Sequence, residues 1–165
     1  MRFHKITYPD INNGVGCRVT LWVAGCSHHC IGCHNANTWA FTNGKVFDGQ
    51  YKAKLFKVLE KPYIKGITLS GGEPLDSLDD VCELLEEIKE EYPNKDVWLF
   101  SGYTMEQIET SDKKKVLQYV DVLVDGEFHI DERDISLAFR GSRNQVIWEK
   151  TKYNKFVVSE LNKKK

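Results

Sequence analysis

The sequence predicts an α/β fold, a single-domain open partial (β/α) barrel of about six strands, and three observations lead there. Short apolar and β-branched runs alternate with helical segments at a pitch that argues for right-handed βαβ units and a parallel sheet. Cys26, Gly71, Ser101 and Asp125 all fall at the C-terminal ends of those runs, where parallel α/β folds build their sites. The chain of 165 residues is too short for eight repeats of about 30 residues, so the barrel is incomplete.

Taken in order, residues 1–16 are rich in turn signals, Tyr8-Pro9-Asp10 and Ile11-Asn12-Asn13-Gly14-Val15-Gly16, and are expected to cross the surface as an N-terminal segment. The first strand, 17–24, is apolar and β-branched and leads directly into a cysteine-rich loop. Residues 35–49 read as irregular. Tyr51, Lys54, Leu55, Val58 and Leu59 then recur at helical spacing and stop at Pro62. A second strand, 65–69, runs into Ser70-Gly71-Gly72-Glu73-Pro74, and Ser77 with Asp80 offers a capping box for a helix that ends before Pro93. The third strand is 96–100. Thr104 with Gln107 offers a second box for a helix reaching, with breaks, to about Tyr119, and the fourth strand is 122–125. The rest, 126–165, is less regular: a polar loop at 126–134, short strands at 136–139 and 145–149 around an Arg140-Gly141-Ser142-Arg143-Asn144 turn with two solvated arginines, and a lysine tail.

A chain of this length buries roughly 70% of its unfolded surface in one domain and needs no disulfide framework. With 23 basic and 24 acidic residues the net charge is −1, which argues against nucleic acid or an anionic membrane as the main partner. No apolar run has the length of a membrane span, and Met1-Arg2-Phe3-His4-Lys5 has no signal-peptide character. A cytoplasmic location follows as the expectation, and an odd count of five cysteines agrees with a reducing compartment.

Three of those cysteines, Cys26, Cys30 and Cys33, lie in one short loop. Thiolates are soft ligands suited to iron-sulfur clusters and zinc. Structural zinc sites close four ligands, whereas a cubane held at three irons leaves the fourth open, and a fourth thiolate is missing here. Cys17 opens the first strand, and at about 3.3 Å per residue it lies roughly 20 Å or more from the loop. Cys82 sits among Leu78, Val81, Leu84, Leu85 and Ile88 on the apolar face of a helix, where a free cysteine acts as a small buried hydrophobe.

The second motif, Gly71-Gly72-Glu73-Pro74, follows the second strand. Glycines let backbone approach a ligand closely and proline fixes the turn, so that Glu73 can be aimed at a small cationic group. Alone it would read as an ordinary strand-to-helix turn.

Together, Cys-x3-Cys-x2-Cys after one strand and Gly-Gly-Glu after the next resemble the radical S-adenosylmethionine superfamily. The resemblance implies that Cys26, Cys30 and Cys33 hold a [4Fe-4S] cluster whose open iron is chelated by S-adenosylmethionine, with Gly71, Gly72 and Glu73 at its amino group and the hard chemistry carried by the cofactors. Gly14 to Arg18, Gly25 to Asn35 with Thr38-Trp39, Asp121 to Phe128 and Arg140 to Gln145 further resemble the activating proteins of anaerobic (class III) ribonucleotide reductase. That family implies a glycyl radical formed on the large reductase subunit and a flavodoxin or ferredoxin as reductant. It also implies a polypeptide substrate, so Arg140 and Asn144 are expected to dock or position the reductase.

One departure stands out: Gly32 occupies the place before the third cysteine, where many members of the superfamily carry an aromatic residue that packs near adenine. Adenine packing then falls to His34, Tyr103 or the final strands. His34 serves equally as a loop residue bonding backbone, and His28 and His29 are expected to be solvated. Asp125 binds S-adenosylmethionine or a cation, or caps the next turn. The competing readings are an activase for another glycyl radical enzyme such as pyruvate formate-lyase, a small-molecule radical enzyme with a closed pocket, and a zinc or electron-transfer module, which leaves the Gly-Gly-Glu motif unexplained.

Overall fold

In the computed structural model, which describes residues 1–164, eight strands form one mixed sheet. They are β1 (Arg2–Asp10), β2 (Arg18–Val23), β3 (Lys45–Val46), β4 (Gly66–Gly71), β5 (Asp96–Phe100), β6 (Val122–Asp125), β7 (Val146–Lys150) and β8 (Phe156–Val158), in the spatial order β3-β1-β2-β4-β5-β6-β7-β8. The four central strands β2, β4, β5 and β6 are parallel, as expected of βαβ units. Antiparallel strands extend both edges, β1 and β3 on one side and β7 and β8 on the other.

Three helices, α1 (Gly49–Leu59), α2 (Leu78–Glu91) and α3 (Met105–Glu109), supply the crossovers. Asp48 caps α1 by accepting from the amides of Gln50 and Tyr51 at 3.0 and 3.1 Å. Thr104 and Gln107 form the expected reciprocal box on α3. The helices bury Leu55, Val58, Leu59, Val81, Leu84, Leu85, Ile88 and Ile108 against one face of the strands, where Val19, Leu21, Ile67, Leu69, Val97, Leu99 and Leu123 are fully buried. Full burial of each such side chain contributes about 1.5 to 3 kcal/mol, so this layer fixes the register of the central strands.

Strand alternation sends Arg18, Thr20, Thr68 and Trp98 to the other face. There Trp98, Val122, Val124 and Ile147 form a second, smaller core. Arg18 is wholly buried. Its guanidinium donates to Thr68 Oγ1 at 2.8 Å, Ile67 O at 2.8 Å and Val15 O at 3.0 Å, and pairs with Asp96 at 2.6 Å. Burial pulls its pKa down and the Asp96 charge opposes that pull. Thr68 donates in turn to Asn13 O, so the 11–17 loop closes the N-terminal end of this face and leaves the C-terminal end for a site.

The parallel α/β centre is as expected, but the count of about six strands is corrected to eight in an open sheet. Residues 2–10, expected to be a turn-rich surface crossing, form the nine-residue strand β1, and only 11–17 are irregular. The strand expected at 136–139 is a turn, with Phe139 in the left-handed region at φ 55°, while its expected partner is present as β7. Ser77 makes no side-chain cap on α2. Helical structure after Thr104 breaks into α3 and a 3-10 stretch, Asp112–Gln118. Lys163 and Lys164 of the expected lysine tail are described, and Lys163 lies in a 3-10 turn, Glu160–Lys163.

Candidate functional site

The cysteine loop leaves the C-terminal end of β2 and is pinned at its root. The amides of Gly25 and Cys26 donate to Thr38 O at 2.6 Å and Trp39 O at 3.0 Å, so residues 26–37 form a closed excursion. Cys26 is buried, and Cys30 and Cys33 are half-buried. Cys33 N donates to Cys30 O at 3.2 Å across a four-residue turn whose third position is Gly32 at φ 78°. Such a turn requires a positive φ there, and a Cβ on Gly32 would also meet Ile130 Cδ1 at 2.8 Å. The departure noted at Gly32 therefore has a local cause.

The Gly-Gly-Glu turn leaves the adjacent strand β4 and is bonded onto that same root. Gly72 N donates to Val23 O at 2.9 Å and Glu73 N to Gly25 O at 2.8 Å. A Cβ on Gly72 would lie 2.4 Å from Gly25 O, a backbone atom that cannot move aside, so close approach of the two motifs demands glycine. The expectation that glycine serves an approaching ligand is thus joined by a second reason: the two motifs touch each other.

One cleft at the C-terminal strand ends is lined by Cys26, Cys30, Cys33, Gly71, Gly72, Glu73 and Ser101, and by His28, Trp39, Phe100, Phe128 and Gln145. Glu73 is 1% exposed and its carboxylate is fully engaged. It accepts from Gly102 N at 2.6 Å, Leu75 N at 3.0 Å, Ser101 Oγ at 3.0 Å, and its Oε1 lies 2.8 Å from His28 Nε2. A buried carboxylate persists only where donors replace water. The other ring nitrogen of His28 is 3.0 Å from Glu127 Oε1. The hydrogen bond to Glu73 raises the pKa of His28 above its ordinary value, against the opposing effect of burial. His28 was expected to be solvated. Its side chain is instead 9% exposed and bridges two carboxylates that lie 45 and 99 residues away in sequence.

Of the other site candidates, Tyr103, Asp125 and His34 do not line the cleft. Tyr103 packs edge-on to the His28 ring and donates to Asp76 Oδ1 at 2.7 Å; burial first, with the Asp76 bond, pushes its pKa up to about 12. Asp125 is buried and accepts from Met105 N at 2.6 Å, at the start of α3, and from Val146 N at 3.2 Å. His34 is exposed and tilts against Phe128, while His29 stacks on Trp39. The Arg140 to Gln145 segment is internal bracing. Arg140 donates to Gln145 O and Asn162 O, Asn144 to Glu127 O, and Gln145 to Gly126 O. Of its two arginines, expected to be solvated, Arg140 is half-buried and Arg143 exposed.

Cys17 lies at the opposite end of β2, where its carbonyl accepts from Lys65 N, and Cys82 is half-buried beside the helical core. Neither reaches the loop. Among the described residues no group of three or more His, Cys, Asp or Glu is gathered to hold a metal ion. A single zinc draws its sulfurs to about 2.3 Å of one atom, whereas cubane thiolates bind separate irons. Three soft thiols lining one cleft, with Cys17 and Cys82 elsewhere, are a donor set that suits a cluster held at three irons. Burial pushes the Cys26 and Cys30 thiols up, so both enter any metal chemistry protonated and must lose that proton.

A family model described as a 4Fe-4S single cluster domain matches residues 12–148. The anaerobic ribonucleoside-triphosphate reductase-activating protein of Pasteurella multocida is 42% identical over 152 residues, covering 88% of this chain and 96% of that protein. The chain belongs to this family of reductase-activating proteins. Its relatives of the same name in Enterobacteria phage T4 and Escherichia coli K12 are each 40% identical, covering 92% and 89% of this chain and 96% and 97% of those proteins. The family match spans the cysteine loop, the Gly-Gly-Glu turn and the bracing segment alike. Among the described residues no helix is long and apolar enough to cross a membrane.

Proposed function

We propose that this protein is a single-domain radical S-adenosylmethionine activase, with a [4Fe-4S] cluster on Cys26, Cys30 and Cys33, that forms the glycyl radical of an anaerobic ribonucleotide reductase. The observation that carries this reading is the bonding of the Gly-Gly-Glu turn onto the root of the cysteine loop, which brings three thiols and one buried carboxylate to a common cleft. When bound, the reduced cluster supplies the electron that cleaves S-adenosylmethionine to methionine and a 5′-deoxyadenosyl radical, which takes hydrogen from a glycine of the reductase.

The chain's own contribution is binding, aim and exclusion of water. Glu73 receives the amino group of S-adenosylmethionine at the position that His28 Nε2 now holds. Ser101, Gly102 and Leu75 donate to the carboxylate and would hold it in orientation for that ammonium. Gly71 and Gly72 present backbone beside it. Trp39, Phe100 and Phe128 offer the aromatic faces within the cleft for adenine, while His34 tilts against Phe128 and Tyr103 packs on His28 from outside that lining. A flavodoxin or ferredoxin delivers the electron, and five unpaired cysteines suit the cytoplasm.

The test is product analysis. Anaerobically reconstituted protein, given reductant and S-adenosylmethionine, should release methionine and 5′-deoxyadenosine, and Cys30→Ser should release neither. Reconstituted protein that carries a cluster yet leaves S-adenosylmethionine intact in the presence of the reductase would remove the radical mechanism.

A further inference from the structure

Away from the cleft, the sheet edge formed by β1 and β3 meets α1 in a groove of about 580 Å³. Lys5, Lys45, Lys54, Lys57 and Lys61 line it, with Tyr51 in their midst, and no carboxylate does. Lys45 and Lys54 lie over the Tyr51 ring at 5.7 and 5.3 Å, and Lys5 lies over Trp22 at 5.0 Å. Among the described residues none of the five makes an ion pair. In a chain of net charge −1 this is a segregation of charge, since Asp79, Asp80, Glu83, Glu86, Glu87, Glu90 and Glu91 crowd α2 instead. Unpaired ammonium groups around a concave surface set up a field that attracts an anionic partner.

The groove is also adjacent to the cysteine loop. Phe3 of β1 pairs with Val23, three residues before Cys26, and Lys45 pairs with Phe3. Ala24 N donates to Arg2 O at 3.0 Å, and Asn37 Nδ2 lies 3.1 Å from His4 Nε2. Lys45 is therefore two strand spacings, about 10 Å, from β2. The cleft itself opens at the strand ends and must admit the polypeptide substrate, so an electron donor needs another approach.

We propose that this lysine groove is the docking surface for an acidic, one-electron-donating protein of the flavodoxin or ferredoxin class, a proposal that rests on the cluster assignment above. One electron passes from the reduced donor to the oxidised cluster. The donor is oxidised by one electron, the cluster is reduced by one, and no bond is made or broken. The five lysines orient the donor in the encounter and take no part in the chemistry.

The experiment measures binding directly, by calorimetry of this full chain with purified flavodoxin and, separately, ferredoxin. Affinity for one of them should fall about tenfold or more between about 20 and 200 mM salt, as the screening length shortens to less than 10 Å. The Lys54→Glu/Lys57→Glu double variant should lose about tenfold at low salt, with Lys5→Gln/Lys45→Gln as an independent second variant. Both should keep the wild-type melting temperature, iron content and rate of cluster reduction by titanium(III) citrate. Wild-type binding of neither carrier, variants that bind as wild type does, or variants that weaken only reductase or oligonucleotide binding would each overturn the proposal. A wild-type chain that assembles no cluster would instead remove the site reading, and the binding arm would still decide the groove.

Discussion

Glu73→Gln replaces one carboxylate oxygen by an NH2 group at a point where each oxygen faces a backbone N–H donor. Oε1 faces Gly102 N at 2.6 Å and Oε2 faces Leu75 N at 3.0 Å, and Ser101 Oγ reaches both at 3.0 Å. Whichever oxygen is exchanged, a buried amide donor is set against a backbone N–H. Leaving such a group unsatisfied costs about 1 to 3 kcal/mol. At about 3 °C per kcal/mol for a chain of this size, the ligand-free variant should melt about 3 to 9 °C below wild type. The lost charge also weakens the bond to an ammonium, so S-adenosylmethionine affinity should fall about 5- to 150-fold while iron content is retained. Thermal unfolding by circular dichroism and equilibrium dialysis with labelled S-adenosylmethionine read the two effects separately. A variant that melts and binds as wild type does would refute both the saturated carboxylate and its assigned ligand.

The His28 bridge makes ligand-free stability depend on pH. Because His28 has a raised pKa when folded, its contribution is complete below the unfolded value of about 6.5 and is lost as pH rises through the folded value. Melting temperature should therefore decline over that window in wild type and decline less in His28→Gln. Cys26→Ser, Cys30→Ser and Cys33→Ser should each abolish S-adenosylmethionine cleavage, whereas Cys17→Ala and Cys82→Ala should still bind about four iron and four sulfide per chain, as iron and sulfide assays will tell. Because Cys26 and Cys30 resist deprotonation, cluster assembly followed by visible absorption should proceed faster at about pH 8.5 than at pH 7, and equal rates would contradict their burial. Arg140→Ala removes two donors to backbone carbonyls of Gln145 and Asn162 and should lower stability by about 1 to 3 kcal/mol in urea unfolding, a loss that solvated arginine would not give.

The parts of the fold that were legible in the sequence are those whose burial leaves a pattern. The runs in β2, β4, β5 and β6 are apolar because helices cover one face and the small second core the other, and proline marks the ends of α1 and α2. β1 was hidden because its alternation is broken by exposed His4 and Lys5 and by Pro9, and because Asn12, Asn13 and Gly14 announce a turn just beyond it. β3 and β8 are edge strands of two and three residues with little burial, so composition carries no trace of them. In the site, the three cysteines and Glu73 were singled out from spacing, and all four line one cleft. His28 could not, since its partners Glu73 and Glu127 come from distant elements. Arg140 read as solvated and, with Asn144, as docking or positioning the reductase, yet their bonds run to backbone carbonyls that no local pattern encodes.

The most direct measurement is electron paramagnetic resonance of the cognate anaerobic ribonucleotide reductase after anaerobic incubation with this protein, S-adenosylmethionine and a reductant. The reductase should show a glycyl doublet that is absent with Cys26→Ser and much reduced with Glu73→Gln. No glycyl signal from protein with a full cluster, together with 5′-deoxyadenosine formation driven by a small metabolite, would contradict it.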